Sequence, residues 1–252
     1  MKKINYKQFQ EDFLKTDLGK QVEKDFTYLT CTNNHWPSIL EVAKRYNSTC
    51  RELLGSNDLK FHKSYTTLSI VSFFYLNILQ EKKPKFIYDL GCGWNIWKKY
   101  IPNVIGIDDH SSYADIIDEY NSDFLEKNYK KFESVFSINM NFGLKKDIKN
   151  KIHEATNFQN FCDHLTEFSQ LLQPGGRGYL SVPALGMYKF TSEQWCNKVN
   201  LNIYNPIEMS NYLENKILNL DLNILALDLE LDLLKNHPGH DGEVRVVFET
   251  YE

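Results

Sequence analysis

The segment Asp89-Leu90-Gly91-Cys92-Gly93 places two glycines beside a carboxylate at the end of an apolar run that begins at Phe86. Glycine has no Cβ, so a ligand can approach the backbone closely at such a turn. Where the first strand of a parallel sheet turns into a helix at glycines, a nucleotide-like ligand lies across the carboxyl ends of the strands. The segment therefore predicts a ligand-binding turn, with an ordinary tight turn as the alternative.

A second carboxylate, Asp108, ends the next apolar run, Val104–Ile107. Two ligand classes compete for this arrangement. A dinucleotide fingerprint needs a third glycine three positions after Gly93, where this chain has Ile96. Asp89 would repel a diphosphate and attract a sulfonium ligand that carries an ammonium group, and Asp108 could accept both hydroxyls of a ribose. The pattern favours an adenosyl sulfonium over NAD.

Strands and helices alternate from Lys85 onward, which predicts a parallel sheet covered on both faces. Helices are predicted near Phe158–Leu172, ending at Pro174–Gly176, and at Pro206–Leu218. An edge strand is predicted at Leu227–Leu233, where leucine alternates with acidic residues. The remaining strands are predicted at Phe86–Leu90, Val104–Ile107, Ala114–Asp118, Ser134–Ile138, Gly178–Val182 and Glu243–Phe248. We therefore expect an α/β fold, a doubly wound sheet that ends in an antiparallel hairpin and whose first four strands are buried.

The first third of the chain reads as helices and loops. Apolar residues fall at helical spacing in Tyr6–Leu14 and Ile39–Tyr46, and Ser64–Gln80 is a longer apolar helix. We predict that residues 1–83 form a helical N-terminal cap on the substrate side and that residues 84–252 form a Rossmann-like domain with an insertion at about 183–205.

The order of these pieces resembles the class I S-adenosylmethionine-dependent methyltransferases over residues 84–252. The matching pieces are Asp89–Gly93, Val104–Asp108, the Ser134–Asn141 strand and loop, and Leu171–Arg177. The resemblance implies a mostly parallel seven-stranded sheet and S-adenosyl-L-methionine as the cofactor, with S-adenosyl-L-homocysteine as the product.

The resemblance also implies which residues bind the cofactor. Gly91 and Gly93 would lie under its methionine end, and Asp108 would bind the ribose. Residues after the third strand would flank the adenine, and the Asn139–Phe142 loop would face the transferring methyl. The predicted cofactor-binding set is Asp89, Gly91, Cys92, Gly93, Asp108, Asp109, Asp118, Tyr120 and Asn139.

The chemistry asks the protein chiefly to hold an acceptor near an already activated methyl group. An alcohol or amine acceptor also benefits from a base. His62 precedes the helix that leads into the first strand, and His35 lies in a loop that could fold over the site. Either is a candidate catalytic base, and for each the alternative is a solvated or structural histidine.

The loop after the fourth strand, Asn139–Phe142, lacks the prolines of base-amine methylation and the cysteine of cytosine methylation. The acid and lysine of Lys-Asp-Lys-Glu ribose methylation are also missing from their strand positions. We therefore expect a small-molecule, sugar or lipid-linked acceptor, glycan-like in shape. The alternatives are a protein or RNA methyltransferase and a non-catalytic fold relative that acts as a binding subunit.

The composition narrows the class of protein. An aromatic content of 14% with only 12 Gly and 7 Pro excludes a disordered or low-complexity chain. The five cysteines are scattered, which favours reduced thiols over disulfides or a metal site. Residues 1–85 carry 14 basic and 9 acidic residues and the rest 15 and 24, so nucleic acid is not favoured as a partner. Without a signal peptide or an apolar run of about 20 residues, we expect a soluble, cytoplasmic protein with no membrane span.

Overall fold

The computed structural model describes residues 6–25, 70–138, 157–183, 206–229 and 243–252. Its helices are α1 (Tyr6–Phe13), α2 (Asp17–Asp25), α3 (Ile70–Gln80), α4 (Trp97–Tyr100), α5 (Ser122–Lys127), α6 (Asn157–Ser169) and α7 (Pro206–Leu218). Its strands are β1 (Ile87–Leu90), β2 (Val104–Asp108), β3 (Ile116–Ile117), β4 (Phe132–Ile138), β5 (Leu172–Pro183), β6 (Asn223–Leu229) and β7 (Glu243–Glu249).

The strands form one seven-stranded sheet in the order β3-β2-β1-β4-β5-β7-β6. The pairs from β3 to β5 are parallel, whereas β7 runs antiparallel to both of its neighbours, β5 and β6. This confirms the predicted α/β class, the mostly parallel sheet and the closing antiparallel hairpin. The carboxyl ends of β1, β2 and β4 therefore meet at one edge, where the glycine turn lies.

Each face of the sheet is covered by a separate apolar core. On one face Phe73 of α3 and Trp97 of α4 pack against Phe136 of β4. On the other, Leu165 of α6 and Leu213 of α7 belong to a core that includes strand residues of β1, β4, β5 and β7. The strands are apolar on both sides because both sides are buried, as expected of a doubly wound sheet.

Helix α3 is joined to the hairpin strands by a buried polar cluster. The Tyr75 hydroxyl donates to Asp228 Oδ2 on β6 (3.3 Å), and Arg245 Nη1 on β7 donates to the same oxygen (2.5 Å). The Tyr75 ring also stacks on Tyr179 of β5, with 5.0 Å between ring centroids. Helix α3 is thus part of the packing of the sheet, although it lies before the domain boundary predicted at residue 83.

The two edges of the sheet were predicted with different success. Strand β6 is an edge strand, as its alternation of leucine and acid indicated. The expectation that the third strand is buried was wrong. It covers only Ile116 and Ile117, whose side chains are 40% and 64% exposed, because β3 is the other edge of the sheet.

The start of β5 also differs from the prediction, which placed a helix stop at Pro174–Gly176. Helix α6 already ends at Ser169, and Pro174–Gly176 lies inside the strand. Phe132 pairs with Leu172 whereas Ser134 pairs with Arg177, so the intervening β5 residues form a bulge. Gly175 has a φ of +72°, a left-handed value that suits glycine at such a bulge.

The predicted helix at Pro206–Leu218 is confirmed at both ends. The predicted helix at Ile39–Tyr46 and most of the predicted insertion at 183–205 lie outside the described residues, and the two-part domain division stays a prediction. Within the described ranges, no helix has both the length and the apolar character needed to cross a membrane.

Candidate functional site

The glycine turn follows β1 directly and uses the conformations that its glycines allow. Gly91 has a φ of +73° and Gly93 a φ of +51°, which are left-handed values that L side chains rarely adopt. A Cβ placed on Gly93 would meet no described atom within 4 Å, so the turn is open on that side.

The turn is fixed to the neighbouring strands at its start. The N–H groups of Gly91 and Cys92 both donate to the carbonyl oxygen of Ile107 on β2, at 2.8 and 3.2 Å. From the other side, the Ser137 hydroxyl on β4 donates to the carbonyl oxygen of Leu90 (2.7 Å). The backbone that leads into the turn is therefore preorganised by β2 and β4.

Asp108, the last residue of β2, holds the middle of the turn. Its Oδ2 accepts from the Gly93 N–H (3.0 Å), and its Oδ1 accepts from the N–H groups of His110 and Ser111 (2.9 Å each). The Ser111 hydroxyl in turn donates to the Gly93 carbonyl oxygen. The Gly93 residue is thus held at its N–H by Asp108 and at its C=O by Ser111.

Asp89 is the most unusual group of the site. Its side chain is 3% exposed, and its Oδ2 has no hydrogen-bond partner among the described residues. Burial, and secondarily the nearby Asp108 carboxylate, raise the pKa of Asp89 well above its ordinary value. A buried carboxyl oxygen without a partner is costly, so this position favours a ligand that brings a cationic donor.

The turn is poorly suited to a diphosphate. Dinucleotide turns bind that group with backbone N–H donors. Here the N–H groups of Gly91, Cys92, Gly93 and Asn95 all donate to acceptors within the protein. With Asp89 and Asp108 adjacent, the local electrostatics favour a cation, in agreement with the ligand preference inferred from the sequence.

Cys92 lies in the turn but is not a nucleophile. Its side chain is 8% exposed, and burial, together with the carboxylates of Asp89 and Asp108, raises the pKa of its thiol strongly. A thiol that stays protonated is a poor nucleophile, and the predicted contact of Cys92 with a cofactor stays a prediction.

Three further residues of the predicted cofactor-binding set, Asp109, Asp118 and Tyr120, have contacts of their own among the described residues. The Asp118 N–H donates to the Asp108 carbonyl oxygen (3.3 Å), which places the end of β3 beside the end of β2. The Asp118 carboxylate pairs with Lys127 (2.8 Å), and Asp109 Oδ2 lies 3.2 Å from His110 Nε2. Burial raises the pKa of Tyr120, next to α5.

Three predicted site residues lie outside the described residues: His35, His62 and Asn139. The same holds for the rest of the loop after β4. Within the described ranges, no group of three or more His, Cys, Asp or Glu side chains is arranged to hold a metal ion.

The structure adds a second network that sequence reasoning missed. The Asn95 amide, in the turn, donates to the Tyr113 carbonyl oxygen (2.9 Å) and to Asp115 Oδ2 (3.0 Å), and Asp115 also forms an ion pair with Lys98. Asp115 Oδ2 accepts from the Gly106 N–H (2.9 Å) as well. This network ties the turn to β2 and to the segment before β3.

Gly106 is the residue from which this network could have been predicted in the sequence. A Cβ at this position would lie 2.6 Å from the Asn95 side chain, so only glycine leaves room for the amide. A glycine inside an apolar strand marks such a close approach. Ser111 had no comparable signal, because a serine after a strand end is common in any loop.

A separate groove of about 380 Å³ lies at the amino ends of β1 and β2, at the end of these strands opposite the glycine turn. Its lining includes Pro84 and Asn103, which precede β1 and β2, together with Phe73 and Tyr100. It is therefore remote from the glycine turn at the carboxyl ends of the same strands.

No protein-family model and no curated protein sequence matches this chain. Among solved structures, it is similar to the N-methyltransferase NodS from Bradyrhizobium japonicum WM9 in complex with S-adenosyl-L-homocysteine, with a TM-score of 0.40 and 9% identity over 81% of this chain and 98% of that one. It is similar to the 1,6-didemethyltoxoflavin-N1-methyltransferase from Burkholderia thailandensis, with a TM-score of 0.38 and 10% identity over 88% and 94%. It is also similar to a putative S-adenosylmethionine-dependent methyltransferase from Listeria monocytogenes, with a TM-score of 0.39 and 15% identity over 72% and 96%.

Proposed function

We propose that this protein is an S-adenosylmethionine-dependent methyltransferase that acts on a small-molecule, sugar or lipid-linked acceptor. The observation that carries the proposal is the buried Asp89 carboxyl, whose Oδ2 lacks a partner among the described residues beside a turn that has used its N–H donors internally. A ligand with an ammonium group supplies a partner for Asp89 and needs no free N–H donors from the turn, whereas the diphosphate of a dinucleotide needs such donors.

The residues present fit such a cofactor. Asp89 would receive the ammonium group of its methionine part, and the open side of Gly93 leaves room for the chain that follows. Asp108, at the end of the neighbouring strand, would receive the ribose. Asp118 and Tyr120, beyond β3, would flank the adenine, and Asn139 would face the transferring methyl, as the resemblance implies.

When bound, S-adenosylmethionine supplies a methyl group that its sulfonium already activates. The protein's own task is to hold the acceptor in line and to keep the donor fixed, which the hydrogen bonds around Gly93 support. His35 or His62 would accept the proton of an alcohol or amine acceptor.

The acceptor class rests on sequence. The loop at Asn139–Phe142 lacks the motifs of three nucleic-acid methylation chemistries, and the net charge of −4 gives no general attraction to phosphates. A small acceptor enclosed by residues 1–83 and the 183–205 insertion is consistent with both.

The binding step is tested by calorimetric titration of S-adenosylhomocysteine into the native protein and an Asp89→Asn variant. We expect micromolar binding to the native protein and a loss of about tenfold or more in the variant, because the amide cannot pair with an ammonium group as a charge. Asp123→Asn is the matched control, because Asp123 is exposed on α5 and lies outside the predicted cofactor-binding set. Equal affinity in all three proteins would contradict the assignment of Asp89.

Turnover is tested by following S-adenosylhomocysteine release with panels of small-molecule, sugar, peptide and RNA acceptors. We expect release with a member of the first two panels and its loss in His35→Ala or His62→Ala. Binding of the cofactor without release on any panel would favour the non-catalytic binding subunit.

A further inference from the structure

The Asp108 carboxylate already accepts three hydrogen bonds from the protein, which leaves too few acceptor positions to bind both ribose hydroxyls. Its Oδ1 accepts from the N–H groups of His110 and Ser111, and its Oδ2 accepts from the N–H of Gly93. All three donors belong to the backbone, so they are present whether or not a ligand is bound.

A carboxylate offers about four acceptor positions, two on each oxygen. Both positions on Oδ1 and one on Oδ2 are filled by the donors above. Among the described residues, one position remains without a donor, on Oδ2, the oxygen that also accepts from the glycine turn. The Asp108 side chain is half-buried rather than fully enclosed.

The carboxylate is also fixed in its orientation. Turning it to present two acceptor positions on one side would break the bond to Gly93 or the pair of bonds to His110 and Ser111. Ser111 is 1% exposed, so breaking its bond to Asp108 would leave the Ser111 N–H unsatisfied in a buried place. Rotation is therefore unfavourable.

We propose, on the basis of the proposed function, that Asp108 binds the cofactor ribose through a single hydroxyl and not through both. This differs from the two-hydroxyl contact expected from the sequence. Asp108 then acts as a specificity residue that distinguishes the 2′ from the 3′ position, and any contact to the other hydroxyl comes from a different group.

The experiment is calorimetric titration of the native protein with S-adenosylhomocysteine and its 2′-deoxy and 3′-deoxy analogues, repeated on Asp108→Ala. In the native protein we expect one analogue to lose affinity by about tenfold to a hundredfold, the range for a hydrogen bond to a charged group. In Asp108→Ala that loss should shrink to about twofold, while the effect of removing the other hydroxyl should be unchanged. Asp123→Ala, an exposed carboxylate on α5 outside the predicted cofactor-binding set, should leave both effects as they are.

Two results would overturn the inference. One is a loss for both analogues that disappears for both in Asp108→Ala, and the other is no loss for either analogue. If Asp108→Ala fails to fold, Asp108→Asn replaces it. The variant should change the effect of removing one hydroxyl only, whereas a change in the effects of both would overturn the inference. No binding of S-adenosylhomocysteine itself would instead overturn the proposed function, and the inference with it.

Discussion

At the scale of single residues, Asp89 is a group whose burial costs stability and which, under the proposed function, receives the cofactor's ammonium group. Its pKa in the folded protein is raised well above 3.8 by burial, and secondarily by Asp108. At pH values between 3.8 and the raised folded-state pKa, the folded protein keeps a proton on Asp89 that the unfolded chain has released. The free energy of unfolding should therefore fall as the pH rises through the folded-state pKa of Asp89.

An Asp89→Asn substitution tests this cost. We expect the variant to melt at a higher temperature than the native protein at neutral and alkaline pH, and the difference to shrink as the pH falls towards 3.8, where the unfolded chain is also protonated. In a chain of this size, each kcal/mol by which the substitution raises the free energy of unfolding should raise the melting temperature by about 2–4 °C. The measurement is a series of thermal melts across this pH range. A variant that is less stable than the native protein at every pH would contradict the account of Asp89.

Ser111 is the second residue whose role can be isolated. Its hydroxyl fixes the Gly93 carbonyl and accepts from the Tyr113 N–H (3.1 Å). Ser111→Ala should weaken S-adenosylhomocysteine binding about threefold to tenfold, because one hydrogen bond that holds the turn is lost and the Gly93 carbonyl is left unsatisfied. Calorimetric titration measures this effect. Ser112→Ala, at the exposed neighbouring position, should bind as the native protein does, and equal affinity in both variants would exclude the role given to Ser111.

At the scale of elements, a charged network at the amino end of β5 fastens α3 to the sheet. Arg177 donates from Nε to Glu249 (2.8 Å) and from Nη1 to the Ile78 carbonyl oxygen at the end of α3 (2.6 Å). Lys82, just after α3, lies 2.9 Å from Glu249. Hydrogen bonds from Arg177 and Lys82, and the charges of both, outweigh burial and lower the pKa of Glu249 below 4.5.

Glu249→Gln should therefore destabilise the protein in a pH-dependent way. A lowered pKa contributes stability above 4.5, and that contribution is lost as the pH falls through the folded-state pKa of Glu249. We expect a loss of about 1 kcal/mol at pH 7, as is typical of a partly solvated pair, and a smaller loss at an acidic pH below 4.5, where Glu249 begins to lose its charge. Urea unfolding at both pH values measures it, with the exposed Glu23→Gln as control. A deficit that persists unchanged at the lower pH would show that the charge of Glu249 is not its cause.

The elements differ in how far sequence could predict them. Helix α7 was predicted to the residue because Pro206 marks its first position and the apolar spacing runs through it. Strands β3 and β5 were predicted less well, since the length of an edge strand and the position of a bulge depend on the neighbouring strand. The same limit applies to Ser111 and Asn95, whose roles arise from contacts between segments that are separate in sequence.

At the scale of the whole molecule, the alternation of strands and helices was sufficient to predict the doubly wound sheet and its final antiparallel hairpin. The fold brings Asp89 and Asp108, 19 positions apart in the sequence, to adjacent strand ends. Because parallel strands share one carboxyl edge, this juxtaposition could be predicted from strand order alone. Strand order could not predict how the two carboxylates are hydrogen-bonded. Under the proposed function, those hydrogen bonds decide which ligand binds at the carboxyl ends of the strands.

The measurement that tests the central claim most directly is a parallel calorimetric titration of the native protein with S-adenosylmethionine, S-adenosylhomocysteine and NAD. The account predicts micromolar binding of the first two ligands and no detectable binding of NAD, because the turn presents carboxylates where a diphosphate needs N–H donors. Binding of NAD with comparable or higher affinity, or no binding of either adenosyl ligand to the folded protein, would contradict it.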